Sequence, residues 1–407
     1  MHFDVIIIGM GLSGLMAAKT ASEAGQKTLL IGKGMGSLSL FSNTVDVLGV
    51  IPSGMNLEDG LSQWITDHPR HPYARVGEGR IEEALSSFIS LFPPPYSFQT
   101  VGNGNCLIPT GAGTFRPTYL IPMTMVAGVS LKERDGLFVG FKGFKDFYAS
   151  YVADRMNCRG LTLSLPETLE GEITATALAR LMERKSFRET IGKKVKAELQ
   201  GERRVGFPAL LGAKGAWKVK KDLEETIGAE VFEIPILPPS IPGMRIYNRF
   251  KEWLIQRGVT FLLGRPVSKP TLRGKKCEGI HLLKPPVSDL YSADRYILAT
   301  GRFGGGGLLA DENKISEPIF GLPVVQPDSR EDWFARSFFT PLSHPVHGAG
   351  ILTDASFRPV DEKGEILLEN VWVAGSILAN HHSIGEKSRE GLEIATGYAA
   401  AKRAMEK

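Results

Sequence analysis

Residues 3–14 read FDVIIIGMGLSG, a continuous apolar run that ends in a glycine-rich turn. The β-branched run predicts a strand buried on both faces of a parallel sheet. Helical periodicity continues from Leu12 to Ala24, and a second apolar strand is predicted over residues 27–31. Because strand, turn, helix and strand follow one another within about 30 residues, the segment predicts an α/β, doubly wound, Rossmann-like FAD/NAD(P)-binding fold.

The turn carries the Gly-x-Gly-x-x-Gly pattern of a phosphate-binding site. Gly9 permits the tight turn, Gly11 lets a phosphate approach the backbone, and Gly14 lets the helix pack close to the strand. The phosphate would lie at the positive N-terminal end of the helix, beside Leu12 and Ser13. These five residues are the first predicted cofactor contacts.

The end of the second predicted strand lacks the acid of a dinucleotide site. An Asp or Glu usually stands there and accepts hydrogen bonds from the adenosine ribose. This chain has Gly32, Lys33 and Gly34 instead. NAD is therefore disfavoured, and FMN, which has one phosphate and no adenosine, is favoured, with FAD as the second choice. Lys33 and Gly34 are predicted to lie beside the cofactor.

Further glycine- and hydroxyl-rich turns predict the rest of the flavin site. One follows the second strand, where a solvated loop is the alternative, and another closes a buried strand near residue 300. A third leads into the last helix, whose N-terminus would direct partial positive charge at the flavin N1 and O2. The predicted contacts in these turns and this helix are Ser42, Asn43, Thr300, Gly301, Gly375, Ser376, Gly391, Ile394 and Ala395.

Arg245 and His382 are the predicted catalytic residues. Arg245 ends a proline-rich turn that opens a helix, and its guanidinium suits a carboxylate or phosphate; a surface arginine is the alternative. His382 precedes the predicted flavin helix, with Glu386 and Glu390 at spacings of four. No metal site is predicted from His382, Glu386 and Glu390. The flanking basic residues would repel a cation, and besides the adjacent His381 and His382 no third histidine is suitably spaced.

Length and composition predict how the chain is organised. A chain of 407 residues predicts two domains: a discontinuous flavin-binding domain of residues 1–50 plus 245–407, and an inserted α/β domain of residues 51–244. The net charge of +4, without a basic block, argues against a nucleic-acid partner. Scattered cysteines and an N-terminal apolar run too short to span a bilayer predict a soluble chain of the reducing cytosol.

Several segments carry a resemblance to one known family, nearly end to end. The chain resembles the B subunit of anaerobic glycerol-3-phosphate dehydrogenase, within the wider fumarate-reductase-like flavoproteins. The segments that carry the resemblance are FDVIIIGMGLSGL (3–15), HPY (71–73), GFKGFKDF (140–147), LPPSIPGMR (237–245), ATGRFGGGGLL (299–309), EPIFGLPV (317–324) and GILTDASFRP (350–359).

The resemblance implies an FMN-containing subunit that works with a catalytic, FAD-bearing A subunit and a membrane-associated iron–sulfur C subunit. Electrons from sn-glycerol 3-phosphate, which is oxidised to dihydroxyacetone phosphate, would pass to quinone. The chain would be cytoplasmic and peripheral to the inner membrane through its partners. Two other functions stay open: a stand-alone FAD-dependent oxidoreductase whose anionic substrate is held by Arg245 and Arg116, and a flavin-free scaffold subunit.

Overall fold

A computed structural model describes residues 1–52, 55–132, 134–165, 171–283, 290–340 and 343–406. The strands are β1 (His2–Ile8), β2 (Thr28–Gly32), β3 (Phe98–Gln99), β4 (Cys106–Pro109), β5 (Phe115–Thr118), β6 (Ile121–Pro122), β7 (Gly136–Phe141), β8 (Arg159–Leu163), β9 (Arg204–Pro208), β10 (Glu230–Ile234), β11 (Thr260–Leu263), β12 (Val267–Arg273), β13 (Lys276–Leu282), β14 (Ser292–Leu298), β15 (Leu309–Ala310), β16 (Ile315–Ser316) and β17 (Val371–Val373). The α-helices are α1 (Leu12–Glu23), α2 (Leu57–Asp67), α3 (Pro72–Val76), α4 (Glu78–Ile89), α5 (Ala149–Arg155), α6 (Ala175–Met182), α7 (Lys185–Glu198), α8 (Ala216–Ile227), α9 (Ile241–Gln256), α10 (Ser383–Glu386) and α11 (Arg389–Met405).

The chain divides into two compact units. The first comprises Met1–Ser37, Asp46–Leu91 and Tyr247–Lys407, and the second comprises Leu38–Val45 and Phe92–Ile246. The division differs from the predicted boundaries at three places. Residues 38–45 belong to the second unit, helices α2, α3 and α4 belong to the first, and Arg245 and Ile246 belong to the second.

A five-stranded sheet of the order β11-β2-β1-β14-β17 forms the centre of the first unit. All of its neighbouring strands pair in parallel. Numbered in chain order within the sheet, the strands follow the order 3-2-1-4-5, which is the Rossmann order without its last strand. The fold predicted from residues 3–14 is therefore confirmed.

Helix α1 is enclosed in this unit, because every residue from Leu12 to Ala21 is buried. A helix that is buried all round tolerates a charge only where the charge is paired. Lys19 meets this condition, since its Nζ lies 2.6 Å from Glu23 Oε1 and donates to Ser87 Oγ at 2.9 Å. The enclosed helix fixes the position of its N-terminus at the edge of the sheet.

The second unit contains a parallel sheet of its own, as the fold class predicted. Its strand order is β10-β9-β7-β8, and each neighbouring pair is parallel. Helices α5 to α8 alternate with these strands along the chain. A core of buried aliphatic and aromatic side chains, including Phe138, Phe207 and Phe232, fills this unit.

The helices in the described part of the chain were also searched for membrane spans. None combines the length and the apolar character that crossing a membrane requires.

Candidate flavin site and substrate cavity

The carboxyl ends of four parallel strands bring the predicted flavin turns together. Strands β1, β2, β14 and β17 lie side by side, and their paired residues place the ends of all four at one edge of the sheet. A glycine-containing turn follows each strand, at residues 9–11, 32–34, 300–301 and 374–376. Ligands of open α/β sheets bind at this edge, next to the point where the strand order reverses.

Each of the three glycines in the first turn is required, or fits a ligand, for a different steric reason. Gly9 has a φ of +122°, and a Cβ there would lie 2.1 Å from the Ala299 carbonyl oxygen. A Cβ on Gly14 would lie 1.9 Å from the Gly9 carbonyl oxygen, so helix and turn pack at backbone distance. A Cβ on Gly11 would meet nothing within 4 Å, and this open space is the approach that a phosphate needs.

Two buried hydroxyls at this edge of the sheet have no hydrogen-bond partner among the described residues. They are Ser13 Oγ, in the first turn of α1, and Thr300 Oγ1, after β14. Buried hydroxyls are normally satisfied, so each is a position where a ligand atom would complete the bonding. A Cβ on Gly375 would lie 2.8 Å from Ser13 Cβ, which holds the turn after β17 against α1. Ser376 follows that glycine directly.

Met10 packs against the end of β2, where the acid of a dinucleotide site would stand. A Cβ on Gly32 would lie 2.7 Å from Met10 Cγ, so the methionine occupies the side where an acidic side chain would begin. Met10 is buried, and Tyr247 donates its hydroxyl hydrogen to Met10 Sδ at 3.7 Å. Lys33, next along the chain, reaches the glycine loop after β14, where its Nζ would lie 2.9 Å from a Cβ on Gly306.

The N-terminal turn of helix α11 packs closely against other residues of the first unit. The Gly391 N–H donates to the Asp46 carbonyl at 2.9 Å, and a Cβ on Gly391 would lie 2.7 Å from the Tyr73 hydroxyl oxygen. This glycine is therefore needed for packing, and its N–H is already bonded within the protein. Ile394 and Ala395 are fully buried as well. The geometry gives these three residues a packing role, and direct flavin contact by them stays a prediction.

Glu393, one turn into α11, is a buried carboxyl that the sequence pattern did not single out. Ser37 Oγ donates to its Oε2 at 3.0 Å, and Ser376 also hydrogen-bonds it. Burial raises the pKa of Glu393 to about 7. Attraction by Arg389 lowers this pKa and repulsion by Glu390 raises it, but burial has the largest effect.

Ser42, Asn43 and Arg245 all belong to the second unit. Ser42 Oγ lies 3.1 Å from Thr44 Oγ1. Asn43 is fully buried, and its side-chain amide accepts from the Tyr96 hydroxyl at 3.2 Å. Asn43 thus takes part in a polar cluster inside its own unit, and its flavin contact stays a prediction.

Arg245 forms a buried, bidentate ion pair in the same unit. Its two terminal nitrogens donate to the carboxylate oxygens of Glu233 at 2.9 and 2.8 Å, and its Nε donates to the Gly212 carbonyl at 2.8 Å. The side chains are 6% and 0% exposed. The Arg245 guanidinium, which the sequence suggested for an anionic substrate, is therefore bound to a carboxylate of the protein itself. This geometry favours a structural role for Arg245.

His382 lies in the wall of a cavity of 530 Å³ within the first unit. Its Nδ1 is buried without a hydrogen-bond partner in the described part of the chain. Burial lowers the pKa of His382, and nearby Arg302 and His71 lower it further against the attraction of Glu386. The cavity is lined by Val50, Trp64, His68, Pro69, Arg70, His71, Asn380, His382, Gly385 and Glu386.

Glu386 organises this wall through three hydrogen bonds. Its Oε1 accepts from the His382 backbone N–H at 2.6 Å, and its Oε2 accepts from Ser388 Oγ at 2.8 Å and from His71 Nε2 at 3.2 Å. Burial alone would raise the pKa of Glu386, but these bonds outweigh it and hold the pKa below the ordinary value. His71 Nδ1 accepts from the Tyr73 N–H, which makes His71 the tautomer with hydrogen on Nε2.

Arg302, directly after the turn that closes β14, places a half-buried cation against His381, the neighbour of the cavity-lining His382. Its guanidinium donates to the His347 carbonyl, to the Leu378 and His381 carbonyls, and to His381 Nε2. Burial lowers the pKa of Arg302 to about 10, so it is charged at neutral pH. Its charge adds to burial in lowering the pKa values of His347, His381 and His382.

Sequence reasoning missed Arg302, His71 and Glu393 as members of these sites. The segments ATGRFGGGG and HPY were noticed, but neither shows which of its residues faces a cavity. Within the described residues, no group of three or more His, Cys, Asp or Glu side chains is arranged to hold a metal ion.

Comparison with known proteins agrees with this geometry. Residues 4–388 match the model of a flavoprotein family described as "FAD binding domain". A relative from Halobacterium salinarum, named as the probable B subunit of anaerobic glycerol-3-phosphate dehydrogenase, is 33% identical over 99% of this chain and 98% of its own length. A relative from Aliivibrio fischeri, named as the B subunit of the same enzyme, is 29% identical over 100% of this chain and 96% of its own length. The chain therefore belongs to the FAD binding domain family and, within it, to the family of anaerobic glycerol-3-phosphate dehydrogenase B subunits.

A solved structure with similarity to this chain is 3-ketosteroid delta1-dehydrogenase from Sterolibacterium denitrificans in complex with 1,4-androstadiene-3,17-dione. It has a TM-score of 0.48 and 11% sequence identity, and the alignment covers 99% of both chains.

Proposed function

We propose that this chain is the FMN-bearing subunit of a glycerol-3-phosphate:quinone oxidoreductase. In this proposal it takes part in oxidising sn-glycerol 3-phosphate to dihydroxyacetone phosphate and relays electrons toward quinone. It acts with an FAD-bearing A subunit and an iron–sulfur C subunit, through which it is held at the cytoplasmic face of the inner membrane. Family membership supports the activity and the subunit role.

The contact between Met10 and Gly32 is the observation that most favours FMN over FAD. The open backbone at Gly11 and the unpartnered Ser13 hydroxyl fit a flavin phosphate and its ribityl chain. The end of β2 lacks the acid that binds an adenosine ribose, and Met10 fills the space where that acid's side chain would begin. A flavin with a single phosphate satisfies both observations.

His382 is the residue that we assign to the substrate hydroxyl. Oxidation of a secondary alcohol to a ketone removes the hydroxyl proton and, from the carbon, a hydride. A base for the proton must be neutral at the working pH, and the lowered pKa of His382 meets that condition. Arg70, exposed on the cavity wall, supplies positive charge for a phosphate group. When bound, the flavin supplies the acceptor for the hydride.

The cofactor assignment is tested on the purified full-length chain. The protein is denatured, and the released flavin is identified by chromatography and quantified against protein. FMN at close to one per chain supports the proposal. FAD would instead support a stand-alone FAD enzyme, and a colourless chain that neither flavin reconstitutes would support a scaffold subunit.

The substrate assignment is tested on the complex formed by co-expression with the A and C subunits. His382→Asn should lower glycerol-3-phosphate-dependent quinone reduction by about 10²- to 10⁴-fold, the usual contribution of a positioned base. The exposed His2→Asn is the matched control and should keep wild-type turnover. Full activity in His382→Asn would exclude this residue as the base, and failure of the three chains to co-purify would exclude the subunit assignment.

A further inference from the structure

The Glu393 carboxyl lies beside the phosphate turn, held by two serines that border it. Ser37 donates to Glu393, and a Cβ on the preceding Gly36 would lie 3.0 Å from Gly11 Cα. Ser376 also bonds Glu393, and the preceding Gly375 packs on Ser13. Both hydroxyls that bind this carboxyl are therefore one residue away from a glycine that touches the turn or the first helix.

Helix packing supports the same location. A Cβ on Gly397, one turn after Glu393, would lie 2.3 Å from the Ser13 carbonyl oxygen, so α11 and α1 approach at backbone distance. The Gly375 N–H donates to Thr396 Oγ1 at 2.9 Å, which fixes the turn after β17 to the same helix. The carboxyl is thus held between α11 and the turns after β2 and β17, which adjoin the glycine turn and α1.

Two charged groups of α11 act directly on Glu393. Arg389 attracts its charged form and Glu390 repels it, both from α11 itself. Arg389 is bound to Glu390 Oε1 at 2.9 Å through its Nε and also interacts with Asp46, so its charge is shared among three carboxylates. Ser37, in the turn after β2, and Ser376, in the turn after β17, bind Glu393 through uncharged hydroxyl groups.

We propose that Glu393 is a cofactor-binding residue that takes up one proton when the flavin phosphate binds and donates that proton in a hydrogen bond to the flavin. The proposal rests on the flavin assignment made above. A carboxylate and a phosphate dianion at one site repel each other strongly in a buried environment. The protonated carboxyl removes the repulsion and converts an acceptor into a donor, as the anionic ligand requires.

Proton uptake makes flavin affinity depend on pH in a defined direction. Free Glu393 has a pKa of about 7, and a bound phosphate raises it further. Above pH 7 the free protein must gain a proton on binding, so its dissociation constant for FMN should rise by roughly five- to tenfold for each pH unit, the slope of a single linked proton. The phosphate of FMN is already a dianion in this range, since its second pKa is about 6.

The test uses the flavin-free full-length chain and titration with FMN, followed by quenching of flavin fluorescence between pH 6 and pH 9. Wild type should weaken above pH 7, whereas Glu393→Gln, which carries a permanent neutral donor, should bind with nearly constant affinity. The control is Glu82→Gln, an exposed acid of α4; it should keep the slope.

A second measurement needs no variant. Calorimetric titration of wild type with FMN at pH 8, in two buffers of different ionisation enthalpy, should give an uptake of close to one proton per flavin. A pH-independent affinity in wild type, or the same slope and proton uptake in Glu393→Gln, would overturn the role of Glu393 while leaving the flavin assignment intact. Absence of FMN binding at every pH would overturn the flavin assignment itself.

Discussion

The side chain of Met10 lies against Gly32 so closely that a Cβ on the glycine would come within 2.7 Å of Met10 Cγ. Two positions that dinucleotide sites use separately, the variable residue of the glycine turn and the acid after the second strand, are coupled here. A small residue has replaced the acid, and a large residue has filled the space. In the proposed FMN assignment, this pair is what disfavours the longer cofactor.

A small residue at position 10 combined with an acid at position 32 should change the cofactor preference. In Met10→Ala/Gly32→Glu, the contact with Met10 Cγ is removed and contacts of 3.0 Å with the Cβ and backbone nitrogen of residue 10 remain. A small shift of the turn relieves them, and the new carboxylate can then accept hydrogen bonds from an adenosine ribose. A hydrogen bond to a charged group contributes about 1.5–3 kcal/mol, so the preference for FAD over FMN should rise by roughly ten- to a hundredfold. Competitive flavin titration measures it. Met10→Ala/Gly34→Glu is the control, because a side chain at Gly34 meets nothing nearby; an equal change in that variant would contradict the assignment.

Two glycines of the first turn should respond differently to alanine. Gly14→Ala pushes a Cβ against the Gly9 carbonyl oxygen, so the free energy of unfolding should fall by about 1–3 kcal/mol or more. Gly11→Ala meets open space and should cost at most about 1 kcal/mol. That methyl group would stand in the phosphate approach, so FMN should bind at least tenfold more weakly and riboflavin, which has no phosphate, should bind unchanged. Equal weakening of both ligands would place the phosphate elsewhere.

Arg245→Met should destabilise the protein through Glu233. The substitution leaves a fully buried carboxylate without its cation, which costs about 3–5 kcal/mol in denaturant unfolding. Adding Glu233→Leu should restore a large part of that loss, because no unpaired charge is left. Lys185→Met breaks the exposed pair with Glu189 and should change stability by less than about 1 kcal/mol. If Arg245→Met keeps wild-type stability and loses only turnover, Arg245 is the anion receptor that the sequence suggested.

Glu386 should make the stability of the first unit sensitive to acid. Its pKa in the folded state lies below the ordinary value of 4.5. The charged carboxylate therefore contributes its full stability above about pH 4.5, and this contribution disappears as the pH falls through the folded-state pKa. The difference in unfolding free energy between wild type and Glu386→Gln should be large at pH 7 and should shrink on acidification below pH 4.5. The exposed Glu82→Gln is the control, and a difference independent of pH would contradict the hydrogen-bonded role.

Local pattern was enough to predict the nucleotide-binding half of the fold. A β-branched run, a glycine turn and an apolar helix each follow from contacts between residues near in sequence, and β1, α1 and β2 lie where the pattern indicated. The steric roles of Gly9 and Gly14 follow for the same reason, since the turn and the helix that need them are adjacent. The missing acid at Gly32 was equally visible, because the motif fixes the position where it should stand.

Contacts between distant parts of the chain decided the rest. The pairing of Arg245 with Glu233, of Met10 with Gly32 and of Glu393 with Ser37 joins residues that no local pattern relates. Sequence alone determined that this protein has a Rossmann-type phosphate turn and that the acid of a dinucleotide site is absent. Only the tertiary structure decided that Arg245 is bound internally, that Met10 fills the space beside Gly32, and that a buried carboxyl lies next to the turn, because burial and pairing arise when separate segments pack together.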